Sequence, residues 1–105
     1  MTENTQKKPA KGSPEEKAAM LAWLAEVAAE LDLDPSMVDA TVGDVLALTG
    51  TVAHDRSRPA APVTSFLIGL AAGRRVGPDA SDADLLAAAQ RLITQVRERA
   101  ARPVE

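Results

Sequence analysis

The fold of this chain turns on residues 42–73, VGDVLALTGTVAHDRSRPAAPVTSFLIGLAAG. Val42, Val45, Leu46, Thr49, Val52 and Ala53 recur at helical intervals, which predicts a helix over 42–56 with one apolar face. Arg58-Pro59-Ala60-Ala61-Pro62 then interrupts the pattern. Each proline fixes φ and lacks an N–H, so the first helix ends before Pro59, while Pro62 suits the opening turn of another. Val63, Phe66, Leu67 and Leu70 form the apolar face of that next helix, over 61–73. Gly73 is its expected terminator, with Arg74 and Arg75 placed where cations favour the helix dipole. A rigid elbow between two helices predicts that they run antiparallel.

Small residues form a second pattern on both segments. Gly43, Ala47, Gly50 and His54 share one stripe of the first helix, and Ser65, Gly69 and Ala72 one stripe of the second. The expectation is close packing of the two helices along these stripes. A glycine inside a helix costs about 1 kcal/mol against alanine, so a contact should offset it. The spacing of Gly69 and Gly73 matches GxxxG, a motif informative mainly inside membranes.

Outward from this region the reading stays helical. Ser13-Pro14-Glu15-Glu16 is a capping box with proline at the first helical position. Met20, Leu24, Val27 and Leu31 continue at helical spacing, widened by Leu21 and Trp23, so a helix is predicted over 14–31. Asp34 caps a short helix over 35–40, with a break near Gly43. Residues 76–80 are a loop, and Ser81 opens a last helix carrying Leu85, Ala89, Leu92, Val96 and Ala100, broadened by Leu86 and Ile93. The prediction is an all-α protein, a compact antiparallel bundle of four main helices plus one short one. Its domain is expected over 13–102, between a disordered tail at 1–12 and a frayed end at 103–105.

Composition narrows the function classes. The 105 residues include twenty-one alanines but only two aromatics, Trp23 and Phe66. That excludes a β-sandwich and an aromatic platform for single-stranded nucleic acid. Without cysteine, thiol catalysis and thiolate metal sites are excluded, and no metal site is expected around one histidine. The net charge of −3 divides into +2 up to Gly12 and −5 beyond it, a poor match to duplex DNA. No apolar run follows the N-terminal lysines, and the longest, over 59–73, is too short to span a bilayer. A cytoplasmic address with no membrane or nucleic-acid partner is the expectation.

Candidate contact residues cluster around the elbow. His54 sits beside Asp55, Arg56 and Arg58. It reads either as a ligand-contacting imidazole or, preferentially, as a histidine serving the last carbonyls of its helix. Arg58, near the start of the next helix with Thr64 and Ser65, could hold a phosphate or carboxylate; a solvated arginine bonding loop carbonyls is the competing reading. The acidic residues are scattered and several are helix caps, and no phosphate-binding loop, dinucleotide fingerprint or nucleophile elbow occurs. An enzyme is not expected.

The motif over 52–73, with Val52-Ala53-His54, Arg58-Pro59-Ala60-Ala61-Pro62, the hydroxyl pair Thr64-Ser65 and the closing Ala71-Ala72-Gly73, resembles a small all-helical family of unknown function from high-GC bacteria. Trp23 and Leu31-Asp32-Leu33-Asp34-Pro35 are similar as well. Members of that family stand alone or are fused C-terminally to a molybdenum cofactor guanylyltransferase. The resemblance implies an accessory role in molybdopterin-guanine dinucleotide biosynthesis, with a molybdenum cofactor enzyme as partner and molybdopterin or a guanine nucleotide as the candidate ligand. The positions carrying it are His54, Arg58, Pro59, Pro62, Thr64, Phe66, Gly69 and Gly73. His54, Arg58, Thr64 and Ser65 are the expected contact residues, and Pro59, Pro62, Phe66, Gly69 and Gly73 the structural ones. The alternative is a helical protein-interaction or homodimerisation module unrelated to cofactors.

Overall fold

Ser13 starts the first helix as its sequence demands: its side chain accepts a hydrogen bond from the Glu16 N–H at 3.1 Å. The return arm of the capping box lands one residue early, with Glu16 Oε1 accepting from the Gly12 N–H at 2.6 Å. The computed structural model describes residues 8–103, so the expectations for residues 1–7 and 104–105 lie outside the described residues. Of the expected tail, residues 8–12 are exposed, and Ala10 accepts bonds from both the backbone and the hydroxyl of Ser13.

The protein is all-α, with four helices and no strand among the described residues: α1 (Pro14–Glu30), α2 (Ser36–Asp55), α3 (Ala60–Val76) and α4 (Asp82–Ala101). The expected short helix is absent as a separate element. It is the first turns of α2, which runs through Gly43 without a break. Glycine lacks only propensity, a cost of about 1 kcal/mol, whereas proline would remove a hydrogen bond and clash. The chain divides into two compact units, Met1–Val38 and Asp39–Glu105.

In the first unit, Met20, Leu21, Leu24 and Val27 are half-buried and Ala28 is buried, while Trp23 and Leu31 are exposed. Helix α1 closes on Asp32 in the left-handed conformation at φ 61°, with Leu33 N–H bonded to Ala28 O at 2.8 Å and Asp32 N–H to Ala29 O at 3.2 Å. This pair of bonds is a Schellman closure in which aspartate occupies the position glycine usually fills. Asp34 Oδ1 then accepts the Ser36 N–H at 2.9 Å. That backbone bond, followed by the bond to the Ser36 side chain, holds the Asp34 carboxyl below its ordinary range.

The second unit is built on alanine. Leu48 and Val52 of α2, Ala61, Ile68 and Ala72 of α3, and Ala88, Leu92, Ile93 and Ala100 of α4 form one buried cluster. Four alanines at these contacts bring backbones close, and the aliphatic side chains fill the remaining space. The α3 start shares a groove with the α4 end, and the α3 end shares another with the α4 start, so these helices are antiparallel. Val52 near the end of α2 meets that same α4 end, which makes α2 parallel to α4 and antiparallel to α3. Ser81 caps α4 by accepting the Asp84 N–H at 3.1 Å.

Three packing expectations change. The apolar face expected to bury α3 faces out: Val63, Phe66, Leu67 and Leu70 are 55%, 64%, 57% and 56% exposed. The buried residues Ala61, Ile68 and Ala72 lie about 180° around the helix, at roughly 100° per residue. In α2, Leu46 is 54% exposed and Leu48, absent from the expected face, is fully buried. The α2 stripe of Gly43, Gly50 and His54 is exposed, and a Cβ built on either glycine meets nothing within 4 Å. The glycines therefore do not mark a close helix contact. Gly73 does not end α3, which continues to Val76 and stops at Gly77 with φ 80°. A residue at positive φ with extended ψ, a conformation open essentially to glycine alone, followed by Pro78 terminates a helix more effectively than a glycine in helical conformation.

Candidate functional site

The elbow between α2 and α3 is made by local bonds. Arg56 N–H and Ser57 N–H both donate to Val52 O at 2.9 Å, and Ala60 N–H and Ala61 N–H donate to Ser57 O and Arg58 O at 3.2 Å. Pro59 is the N-cap of α3 and offers no side-chain cap. Pro62 has no N–H to offer. The opening donors at 60 and 61 are thus already engaged.

The hydroxyls are engaged as well. Thr64 Oγ1 donates to Ala60 O at 2.8 Å, and Ser65 Oγ donates to Ala61 O at 3.5 Å. These are bonds back along the helix of a kind common for serine and threonine inside helices. Thr64 lines a groove beside Arg56, whereas Ser65 and Gly69 line a smaller pocket of about 150 Å³ with Leu48 and Ile68. The two adjacent hydroxyls thus belong to different surfaces. Arg58 is exposed and lies in the lining of neither.

His54 Nδ1 pairs with Asp55 Oδ1 at 2.8 Å, with the imidazole side chain 89% exposed. Contacts so open to water contribute little to stability. The carbonyl-serving role considered for His54 belongs instead to Arg56, and on another helix. Arg56 Nε donates to Ala100 O at 3.1 Å, while Nη2 donates to Arg99 O at 3.0 Å and to Arg102 O at 2.9 Å. One guanidinium thereby serves three carbonyls at the end of α4, of which that of Arg99 also accepts the Arg102 N–H at 3.2 Å. Its partners are 43 to 46 positions away, so no local motif could announce it.

The structure therefore does not gather His54, Arg58, Thr64 and Ser65 around one cavity. It provides two surfaces in their place. One is the open groove of about 480 Å³ over Val52, Ala60, Val96 and Ala100, edged by Arg56, Arg99 and Arg102. The other is the outward face of α3, with Phe66, a motif residue, near its middle. No group of three or more histidine, cysteine or carboxylate residues suited to a metal occurs among the described residues, and none of their helices is long and apolar enough to cross a membrane.

The structure defines an all-helical protein with a small alanine-lined core and an exposed apolar helix face. The chain itself belongs to the family defined by a domain of unknown function, DUF6457, which matches residues 15–103. No curated protein and no solved structure matches the chain.

Proposed function

We propose that this protein is a non-catalytic helical binding module that docks a protein partner through the outward face of α3. The supporting observation is the uncovered row of Val63, Phe66, Leu67 and Leu70. Burying such a row releases about 25 cal/mol per Å² of apolar surface, while single exposed leucines carry no such implication. Phe66 and its neighbours have the composition of an anchor that fills a partner's groove. Pro59 is the N-cap of the same helix, with Arg58 just before it and Pro62 in its first turn. The motif resemblance supplies the partner class: an enzyme of molybdenum cofactor maturation, with this chain in an accessory role. Self-association through the same face is the competing reading.

Binding of the purified chain to a molybdenum cofactor guanylyltransferase, measured by calorimetry beside light scattering of the chain alone, tests this. The expected result is a stoichiometric complex that Leu67→Glu abolishes and Arg74→Gln leaves intact. A wild-type dimer dissociated by Leu67→Glu, with no enzyme binding, transfers the face to homodimerisation. A monomer that binds nothing refutes the proposal.

A further inference from the structure

We infer that the groove between the end of α2, the start of α3 and the end of α4 binds a small phosphate monoester carried on an apolar body. This groove is a different surface from the outward α3 face, and its ligand does not depend on a partner docking there.

Three arginines, Arg56, Arg99 and Arg102, edge the groove, and none of the described residues lining it is acidic. In a chain of net charge −3 this local excess of cations is not a consequence of composition. The acids adjacent in sequence to Arg56 and Arg99 are turned to other work. Asp55 pairs with His54, and Glu98 lines a separate groove with Asp44 and Arg97. Three like charges around one concavity repel, and an anion between them removes that cost.

One of the three arginines is already ordered. Three backbone carbonyls hold Arg56 through Nε and Nη2, and none of these bonds uses Nη1. These carbonyls lie at the C-terminal end of α4, whose dipole carries about half a negative charge, so the cation is fixed in place and only partly neutralised. A ligand meeting a fixed guanidinium loses less side-chain entropy than one that must order it. Guanidinium groups match phosphate oxygens in geometry, and a monoester carries nearly two negative charges at neutral pH. That charge suits three arginines better than a carboxylate's single charge does.

The floor defines the rest of the ligand. Val52, Ala60, Val96 and Ala100 offer apolar surface, with Thr64 beside them, and about 480 Å³ lies in the usual range for small-molecule sites. A nucleic-acid strand is the wrong occupant. Neither aromatic residue of the chain lines the groove, and the sequence beyond Gly12 carries −5.

Phenyl phosphate is the probe, with benzoate as the singly charged analogue on the same ring. Amide and arginine Nε–H resonances of the full chain are followed by NMR during titration. The expected result is saturable shifts at Arg56 Nε–H and at the amides of residues 100–102, with benzoate about tenfold weaker. The Arg99→Gln/Arg102→Gln variant should lose at least about tenfold in affinity, and Arg74→Gln/Arg75→Gln should bind as wild type. Both arginines of the first pair are exposed, so that variant should keep its melting temperature. No shifts at these positions, equal affinity in the Arg99→Gln/Arg102→Gln variant, or equal affinity for benzoate overturns the inference. The wild-type map alone decides the matter if that variant does not fold.

Discussion

Replacing Gly50 with alanine should stabilise the protein. Gly50 lies inside α2, exposed, and a Cβ built on it meets nothing within 4 Å. The variant gains helix propensity and loses unfolded-state freedom, together worth about 1 kcal/mol. Gly43 has the same open surroundings seven residues earlier, about 10 Å along the axis. At that separation effects add, so Gly43→Ala/Gly50→Ala should gain about 2 kcal/mol. A domain of this size shifts its melting temperature by about 4–8 °C per kcal/mol. Circular dichroism melts of both single variants and the double would read this directly, with urea titrations checking that the m-value is unchanged. A fall in melting temperature would refute the reasoning. It would mean that another surface lies against this stripe in solution and that the added methyls collide with it. A rise accompanied by a lost interaction would place a partner, not the chain's own core, on the stripe.

The two sides of α3 should respond oppositely to truncation. Ile68→Ala should cost about 2–4 kcal/mol, and Phe66→Ala no more than about 0.5 kcal/mol, by urea denaturation. Arg56→Met removes a three-carbonyl clamp and should destabilise by about 1–3 kcal/mol, with faster amide exchange confined to the last turn of α4. Ser81→Ala should cost about 1 kcal/mol through the lost α4 cap, read in the same titration. The Asp34 carboxyl has a depressed folded-state pKa, so its contribution is present above the unfolded value near 3.8 and lost as pH falls through the lower folded value. Asp34→Asn should therefore flatten the loss of stability below about pH 4, and an unchanged acid limb would count against the Ser36 bond.

Local chemistry was legible before any coordinates. Ser13 and Ser81 cap their helices, Pro59 separates α2 from α3 with Pro62 in the first turn of α3, and Arg74 and Arg75 close the last turn of α3. These features depend on residues within one turn of each other, so spacing suffices to find them. The expected face of α4 also holds: Leu92 and Ala100 are buried, and Ile93 beside them. In α4 the apolar residues are confined to one side, leaving a single choice.

The contact residues were legible only as a neighbourhood. Thr64 and Ser65 are adjacent in sequence yet line different concavities, because successive residues point about 100° apart on a helix. Arg56 attracted notice as one of several arginines, but its clamp on α4 joins residues more than forty positions apart. Nothing local distinguishes it from Arg58.

The helical class, the caps and the elbow follow from the sequence alone, because propensity, proline sterics and capping bonds act over three or four residues. The sequence could not decide which side of α3 is buried. That helix has apolar residues all round, and hydrophobicity favours the larger ones. The tertiary structure chose the opposite side, where Ala61 and Ala72 let α4 approach closely around Ile68. Close packing of backbones outweighed side-chain size, and the same choice turned Phe66 outward and left Arg56 free to reach the end of α4.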